Sequence, residues 1–323
     1  MNKEIKNKTI FLTGGAGFIA NKMILRLVEN NKIIVFDNFE RDTLTSSGLA
    51  DHPNITIVRG DVRDFDKVYQ SMEGADIIIH AAAIAGITTV AKNPVKTMEV
   101  NIIGTYNVLE SAKRHGIKGK IIDFSTSETY GEMAYNSKET DNSVVGVAGV
   151  ERWTYSASKL AAEHFAHSYY NEFGLNTVTV KPFNVYGPGQ LGEGALQIFI
   201  NKSMNNEDIF INGDGNQIRS WCYVEDFVDG IMICLSDAVP GGRSFNIGNP
   251  RETTTIYELA KKVIFLLNSE SNIKHREGLA ADVGLRIPNV DSLKSYGYSP
   301  KVSLEDGILK TIQYFKQLDL ING

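Results

Sequence analysis

Along the chain, short runs of apolar residues alternate with longer stretches in which apolar residues return every three or four positions. The runs "TIFLT", "KIIVF", "ITIVRG", "ADIIIH" and "GKIIDF" are rich in Ile and Val with few polar breaks, as in parallel strands buried on both faces. Between them, "FIANKMILRLVEN", "DKVYQSM" and "PVKTMEVNIIGTYNVLESAKRHG" carry helical spacing and read as crossovers. This order predicts an α/β fold built on a doubly wound parallel sheet. A further helix, "TYSASKLAAEHFAHSYYNEFG", should stop at Gly174, and "LNTVTVKPF" follows as a strand. From "NVYGPGQ" onward Gly and Pro become frequent and the rhythm breaks. The pattern therefore predicts a sheet domain over 1–182 with a return segment at about 219–248, and a smaller α/β lobe from 183–218 and 249–323.

Composition narrows the class. With 323 residues, 42% of them apolar, the chain can bury one large core, or one core with a lobe attached. A formal net charge of −5 and no clustered Lys/Arg run give no electrostatic footprint for nucleic acid or an anionic membrane, so small molecules are the expected partners. Cys222 and Cys234 lie outside any CxxC spacing, which argues against a disulfide framework and fits a reducing cytoplasm. No apolar run approaches the roughly 18 residues of a spanning helix, and "MNKEIKNKT" leads directly into a strand rather than a signal peptide. His164 and His167 in "EHFAH" are close on a helix, but no cluster of further ligands accompanies them, so no metal site is expected.

The first candidate chemistry is a cofactor site. "FLTGGAGFIA" places Gly14, Gly15 and Gly17 at a strand-to-helix turn, where bare backbone can approach a pyrophosphate and the helix N-terminus favours its charge. Phe18 and Ile19 open that helix. Asp37 follows at the end of the second strand, 20 residues after Gly17, where a carboxylate accepts hydrogen bonds from a ribose diol. Together these are the signature of a Rossmann dinucleotide site. Asp37 would repel a 2′-phosphate, so NAD is expected over NADP, although the nearby Arg41 would suit the phosphate. Asn38 beside Asp37, Asp61 and Val62 after the third strand, and Ala81, Ala82 and Ala83 after the fourth fall where loops would meet the rest of the dinucleotide.

Tyr155 and Lys159 in "YSASK" are spaced i,i+4 and share a helix face. A phenol ionises near pH 10, and an adjacent ammonium together with an oxidised nicotinamide would lower it toward a useful base. Tyr257 and Lys261 have the same spacing. They lie on the polar side of an amphipathic helix whose apolar positions are Ile256, Leu259, Ala260, Val263 and Ile264, and read as surface. What singles out Tyr155 is the hydroxyl-rich strand end "STSE" upstream, which can present Thr126 to the same substrate oxygen.

The series "TGGAGFIA", Asp37, Asp61, "HAAA", "VNIIGT", "STSETYG", "YSASK", "KPFNVYGPG", "RSWCYVEDF" and "DVGLRIPNV" resembles, over nearly the whole chain, an extended short-chain dehydrogenase/reductase of the NAD-dependent nucleotide-sugar epimerase/dehydratase family. The resemblance implies that Thr126, Tyr155 and Lys159 form the hydride-transfer set. It implies that Asn101 and Pro182 join the cofactor site, and that a nucleotide diphosphate lies against Asn184, Arg219 and Arg286. It further implies a homodimer paired through the helices near 94–115 and 152–173. Ala20, where the family usually has Gly, still allows close helix packing.

Glu128 then discriminates among activities. In this family the sugar is first oxidised at C4, and the ketone makes the C5 proton acidic. A 4-epimerase, usually with a sequence similar to "SSSxxYG", needs no acid beside the hydroxyls. A 4,6-dehydratase needs a base for C5 and an acid for the departing C6 hydroxyl, which one carboxyl can serve in turn. Hexuronate decarboxylases share the Thr-Ser-Glu order. Ser127 stands where many dTDP-glucose dehydratases have Asp, and resembles GDP-mannose dehydratases and the decarboxylases. The expectation from sequence is a nucleotide-sugar 4,6-dehydratase, with Ser127 and Glu128 in the catalytic group; a decarboxylase is the first alternative and an epimerase the second. A non-catalytic NAD-sensing regulator would keep the glycine turn and Asp37, but has no use for Tyr155, Lys159 and Glu128 together.

Overall fold

The structure, a computed structural model, describes residues 5–279 and 281–322. Among them, seven parallel strands form the central sheet in the spatial order Arg243–Ile247, Thr177–Pro182, Ile121–Phe124, Ile77–His80, Thr9–Thr13, Lys32–Asp37 and Ile55–Arg59. The Ile/Val runs became strands because both faces are covered. Ile77–His80 and Ile121–Phe124 are buried at every position, as a central parallel strand requires. On one side the helix Phe18–Leu27 presents Ala20, Met23, Ile24 and Leu27 to a core that includes Leu12, Ile79 and Val180. On the other, Val108, Leu109 and Ala112 of Gly104–Arg114 and Ala166 of Thr154–Phe173 share a core with Phe11, Ile78 and Ile121. Each large aliphatic or aromatic side chain so buried contributes about 1.5–3 kcal/mol.

Chain order reverses between the neighbouring strands Thr9–Thr13 and Ile77–His80. At such a reversal the connecting helices leave to opposite faces, so a crevice opens at the carboxyl ends of the strands. The helix Thr154–Phe173 crosses behind that crevice and ends at Gly174, whose φ of +70° lets the chain turn off the helix. The helix predicted near 94–115 is Pro94–Met98, a wide π-type turn over Glu99–Ile103, and Gly104–Arg114.

A second sheet has four strands in the order Thr253–Thr255, Ile218–Ser220, Leu285–Pro288 and Met133–Ser137. Its last strand comes from within the span that the sequence pattern assigned to the large sheet. Met133–Ser137 follows the "STSETYG" turn, so the catalytic strand end and the lobe are covalently adjacent. Arg219 and Arg286 are partners in register on neighbouring strands of this sheet. Two like charges side by side repel, and the pairing points to a site built for anions. No helix among the described residues is long and apolar enough to cross a membrane.

Candidate active site

The glycine turn is packed as tightly as its sequence implies. Gly14 has φ +67°, and a Cβ there would lie 2.6 Å from the backbone N of Ala82. Only glycine lets the first and fourth strand ends approach this closely. Beside the turn is a cavity of about 420 Å³ lined by Gly14, Gly17, Phe18, Ile19, Asp37 and Asn38, and by Asp61, Val62 and Ala81–Ala83 from the neighbouring strand ends. Asp37 also holds the turn together. Its Oδ2 accepts from Ala16 N at 3.0 Å and its Oδ1 from Phe39 N at 2.7 Å. Burial raises this carboxyl above its ordinary value, against the pull of backbone N–H groups from Phe39, Ala16 and Asn38. A bare-backbone cradle, a carboxylate at its rim and a cavity of ordinary cofactor size fit NAD.

Arg41 lines the same cavity, but its guanidinium donates to Ala85 O and Thr89 Oγ1, both at 3.1 Å. The Thr89 hydroxyl and the N–H groups of Thr88 and Thr89 in turn donate to Glu193, at 2.6–2.9 Å. Glu193 belongs to the stretch that also puts Gln190 and Leu191 on the cofactor cavity. These contacts tie the two lobes together across the crevice.

Phe124 lines this first cavity and Glu128 the second, so Thr126 stands at the join. The Thr126 side chain acts on the phenol of Tyr155 and favours its ionisation. Thr126 Oγ1 also accepts from Glu128 N at 3.2 Å, starting the short helical turn Ser127–Tyr130 in which Ser127 is buried. Burial pushes the Tyr155 phenol up to about 12; the charge of Glu128 adds to this, while Thr126, Arg286 and Arg152 work against it. The expected lowering of the phenol is thus not produced by these side chains. Of the two cations that favour its ionisation, Arg286 comes from the lobe and Arg152 from the turn just before the helix that carries Tyr155. Lys159 is itself fully buried, and burial lowers its ammonium while Asp123 and Glu163 raise it.

Glu128 carries the strongest charge arrangement. Arg152 binds both its oxygens, Nη1 to Oε2 at 2.5 Å and Nη2 to Oε1 at 2.9 Å, and Arg286 Nη1 approaches Oε1 at 3.4 Å. Burial alone would raise this carboxyl, but Arg286 and Arg152 outweigh it and hold Glu128 below its ordinary value. The second cavity, of about 370 Å³, is lined by Glu128, Arg152, Asn184, Arg219, Arg286 and Asp282, with apolar walls from Phe199, Phe210 and Trp221. Arg219 reaches Asp282 only at 3.6 Å, and burial lowers it to about 10. Arg286 Nε and Nη2 and Arg152 Nε are buried with no hydrogen-bond partner in the described protein. Buried donors of this kind suit an anionic ligand. Gln190 lines both cavities.

Residues 10–248 match the NAD dependent epimerase/dehydratase family. The chain belongs to that family. It is 35% identical over 311 residues to UDP-glucuronic acid decarboxylase 5 of Arabidopsis thaliana, covering 94% of this chain and 87% of the relative. It is 31% identical to the UDP-N-acetyl-alpha-D-glucosaminuronate decarboxylase of Bacillus cytotoxicus, over 97% of this chain and 99% of the relative. Its fold superposes on the dTDP-glucose 4,6-dehydratase DesIV of Streptomyces venezuelae, solved with NAD bound, with a TM-score of 0.87 and 25% identity over 96% of this chain and 97% of that one. As a member of this NAD-dependent family, the protein is an enzyme that uses NAD.

Within this family member, the predicted cofactor loops line the first cavity and Glu128, Asn184, Arg219 and Arg286 the second, while Thr126, Ser127, Tyr155 and Lys159 line neither. Nor does Asn101. It is fully buried, its amide exchanging hydrogen bonds with Ile84 and donating to Ser158 Oγ at 2.9 Å. These bonds tie the loop after the fourth strand to the helix that carries Tyr155. Pro182 ends its strand and lines neither cavity. His167 is bonded to Ser244 Oγ at 2.9 Å. Tyr257 is partly exposed on its own helix, with Lys261 paired to Glu258. Sequence reasoning missed Arg152. The available signal was a basic residue three positions before Tyr155, one helical turn ahead of the catalytic pair.

Proposed function

We propose that this enzyme is a nucleotide-hexuronate decarboxylase that converts a UDP-linked hexuronate to the corresponding UDP-pentose and carbon dioxide. The observation that carries the reading is the grip of Arg152 and Arg286 on Glu128. A carboxyl held ionised by two guanidiniums is a poor donor to a departing C6 hydroxyl, and its neighbour Ser127 offers no acid in its place. Loss of carbon dioxide requires no such donor. A hexuronate also adds a third negative region to the diphosphate, which suits the three guanidiniums of Arg152, Arg219 and Arg286 around one cavity. The names of the decarboxylase relatives support the same choice over the dehydratase expected from sequence.

When bound, NAD would supply reversible hydride acceptance at C4, taking the hydride and giving it back, so no net oxidant is consumed. Tyr155 would take the proton of the C4 hydroxyl once the Lys159 ammonium on the same helix face and the oxidised nicotinamide favour its anion. The C4 ketone is then β to the carboxylate on C5. The C5–C6 electron pair moves into the ketone as an enolate, carbon dioxide leaves, and C5 takes one proton from water. Tyr155 gives its proton back to O4 when the ketone is reduced. The balance is one carboxylate and one proton in, one C–H bond and one carbon dioxide out. Glu128 stays an anion and orients Arg152 and Arg286 toward the substrate. The helices 94–114 and Thr154–Phe173 carry exposed Val95, Ile103, Tyr106 and Phe173, a face suited to pairing with a second copy.

A 4,6-dehydratase is the second reading, because the Glu128 charge acts directly on Tyr155 and so lies where a C5 base would be needed. Products decide. Incubated with UDP-glucuronate, UDP-N-acetylglucosaminuronate, UDP-glucose and dTDP-glucose in turn, the enzyme is expected to release carbon dioxide from a uronate. Loss of water from a neutral hexose, or an unchanged mass with inverted C4, would overturn the proposal.

A further inference from the structure

Beneath the catalytic helix lies a row of polar residues where the sheet is otherwise apolar. Thr13 pairs in register with His80, His80 with Asp123, Asp123 with Thr179, and Thr179 with Ser244, so the row runs across five strands. Above it, Tyr155, Lys159, Glu163 and His167 recur every four residues along the helix Thr154–Phe173. Four of the groups here are fully or almost fully buried and titratable: His80, Asp123, Lys159 and Lys181, with Glu163 nearly so. Ionised groups in such a place require partners.

Most of them have one. Glu163 accepts from Ser125 Oγ at 2.8 Å and Ser244 Oγ at 2.7 Å, and pairs with Lys181 Nζ at 3.0 Å. Lys181 also donates to Thr129 Oγ1. His80 is bracketed by the hydroxyls of Thr13 at 2.7 Å and Thr105 at 3.0 Å, and burial followed by the charge of Lys159 holds it neutral, down at about 3. It supplies no cation. Asp123 is the exception: it is 1% exposed and neither carboxylate oxygen has a hydrogen-bond partner among the described residues. The cation acting on it is Lys159, whose own charge is supported by Asp123 ahead of Glu163.

We propose that Asp123 is the counter-ion of Lys159, a positioning residue that acts on the reaction through that ammonium. With Glu163 committed to Lys181 and His80 neutral, Asp123 is the carboxylate left to balance Lys159. Burial raises Asp123 to about 6, so above that pH it is a buried anion on the strand beneath the helix that carries Lys159, and below it Lys159 loses its compensation. An ammonium kept charged one helical turn from Tyr155 favours the ionisation of its phenol, which burial pushes up to about 12. The inference rests on the C4 oxidation shared by the family and not on the fate of C6. Its failure would leave the decarboxylase reading standing, because product mass tests that separately.

The test uses the NAD-loaded enzyme with lysine labelled by ¹³C at Cε, the Lys159 signal being assigned by its loss in Lys159→Arg. In the native enzyme Lys159 is expected to remain an ammonium at about pH 8, and in Asp123→Asn to lose its proton at a pH lower by about one or more. The same substitution is expected to lower kcat about tenfold at neutral pH, with KM and bound NAD within about twofold, and Asp123→Glu to recover part of the rate. Identical Lys159 titrations and pH–rate profiles in native enzyme and Asp123→Asn would overturn the proposal. Should Asp123→Asn fail to fold with NAD, Asp123→Glu and the native titration decide. A neutral Lys159 at about pH 8 in the native enzyme overturns the proposal, and a Lys159 titration that moves in Asp123→Glu supports it.

Discussion

Arg152 grips Glu128 by both carboxylate oxygens, joining the turn that leads into the Tyr155 helix to the strand end that carries Thr126. The pair is largely buried and shares Arg286 on its far side. Arg152→Ala would leave Glu128 with Arg286 alone. The expected loss of stability is roughly 2 kcal/mol, less than for a buried pair stripped of every partner. Glu128 is held below its ordinary value, so the stability it contributes is present above the unfolded carboxylate range and disappears as pH falls through the lower, folded value. Urea denaturation as a function of pH should show that acid-dependent loss reduced in Arg152→Ala, together with a fall in kcat/KM.

Asp37 both faces the cofactor cavity and accepts the N–H groups of Ala16 and Phe39. Asp37→Ala should therefore have two effects. NAD affinity falls and the preference for NAD over NADP narrows, measured by equilibrium binding. The apoprotein also loses about 1–3 kcal/mol, because the N–H groups of Ala16 at the glycine turn and of Phe39 after the second strand lose their acceptor. A variant with weakened NAD binding and native apoprotein stability would confine Asp37 to the ribose.

Tyr155 and Tyr257 form an internal comparison, each with a lysine four residues on. The Tyr155 phenol is acted on by Thr126, Glu128, Arg286 and Arg152, whereas Tyr257 packs against His275 at 6.2 Å between ring centroids. Tyr155→Phe should reduce kcat by at least about three orders of magnitude with native melting behaviour, as expected for loss of a general base with its electrostatic support. Tyr257→Phe should keep kcat within about twofold and change stability by less than about 0.5 kcal/mol. Equal losses would move the chemistry away from Tyr155.

Acid stability should carry the signatures of His80 and Asp123, with opposite signs. His80 is pushed down to about 3, so its contribution is present above the ordinary histidine range and is lost as pH falls toward that value. Asp123 is raised from 3.8 to about 6, so its contribution is full below 3.8 and is lost as pH rises through about 6. The two offset each other between those values. Removing Asp123 removes the offset. The stability of the native protein relative to Asp123→Asn should accordingly grow by roughly 3 kcal/mol between about pH 7 and pH 4, at about 1.4 kcal/mol per pH step. Chemical denaturation at fixed pH steps measures it, and a constant difference would place Asp123 in the ordinary carboxylate range.

The order of strands and helices was legible in the chain because it rests on local information. Ile/Val runs too continuous for a one-sided sheet, and helices with apolar positions every three or four residues, leave little choice but a covered parallel sheet. Gly14 and Asp37 were legible for a similar reason: a turn with φ +67° packed against Ala82 tolerates little else than glycine, and the strand order fixes where a carboxylate must stand. The partners of Asn101, Ile84 and Ser158, were not legible, because a place in a motif does not say which distant groups a buried amide meets. The charges on Glu128, Tyr155 and Asp123 were settled only by the fold. Arg152 lies 24 residues from Glu128 and Arg286 lies 158 away, and the small sheet that delivers Arg286 takes a strand from the other side of the "STSETYG" turn. An ionisation state depends on distance and burial, which fall off over a few ångströms, and sequence spacing carries neither once the chain has folded back on itself.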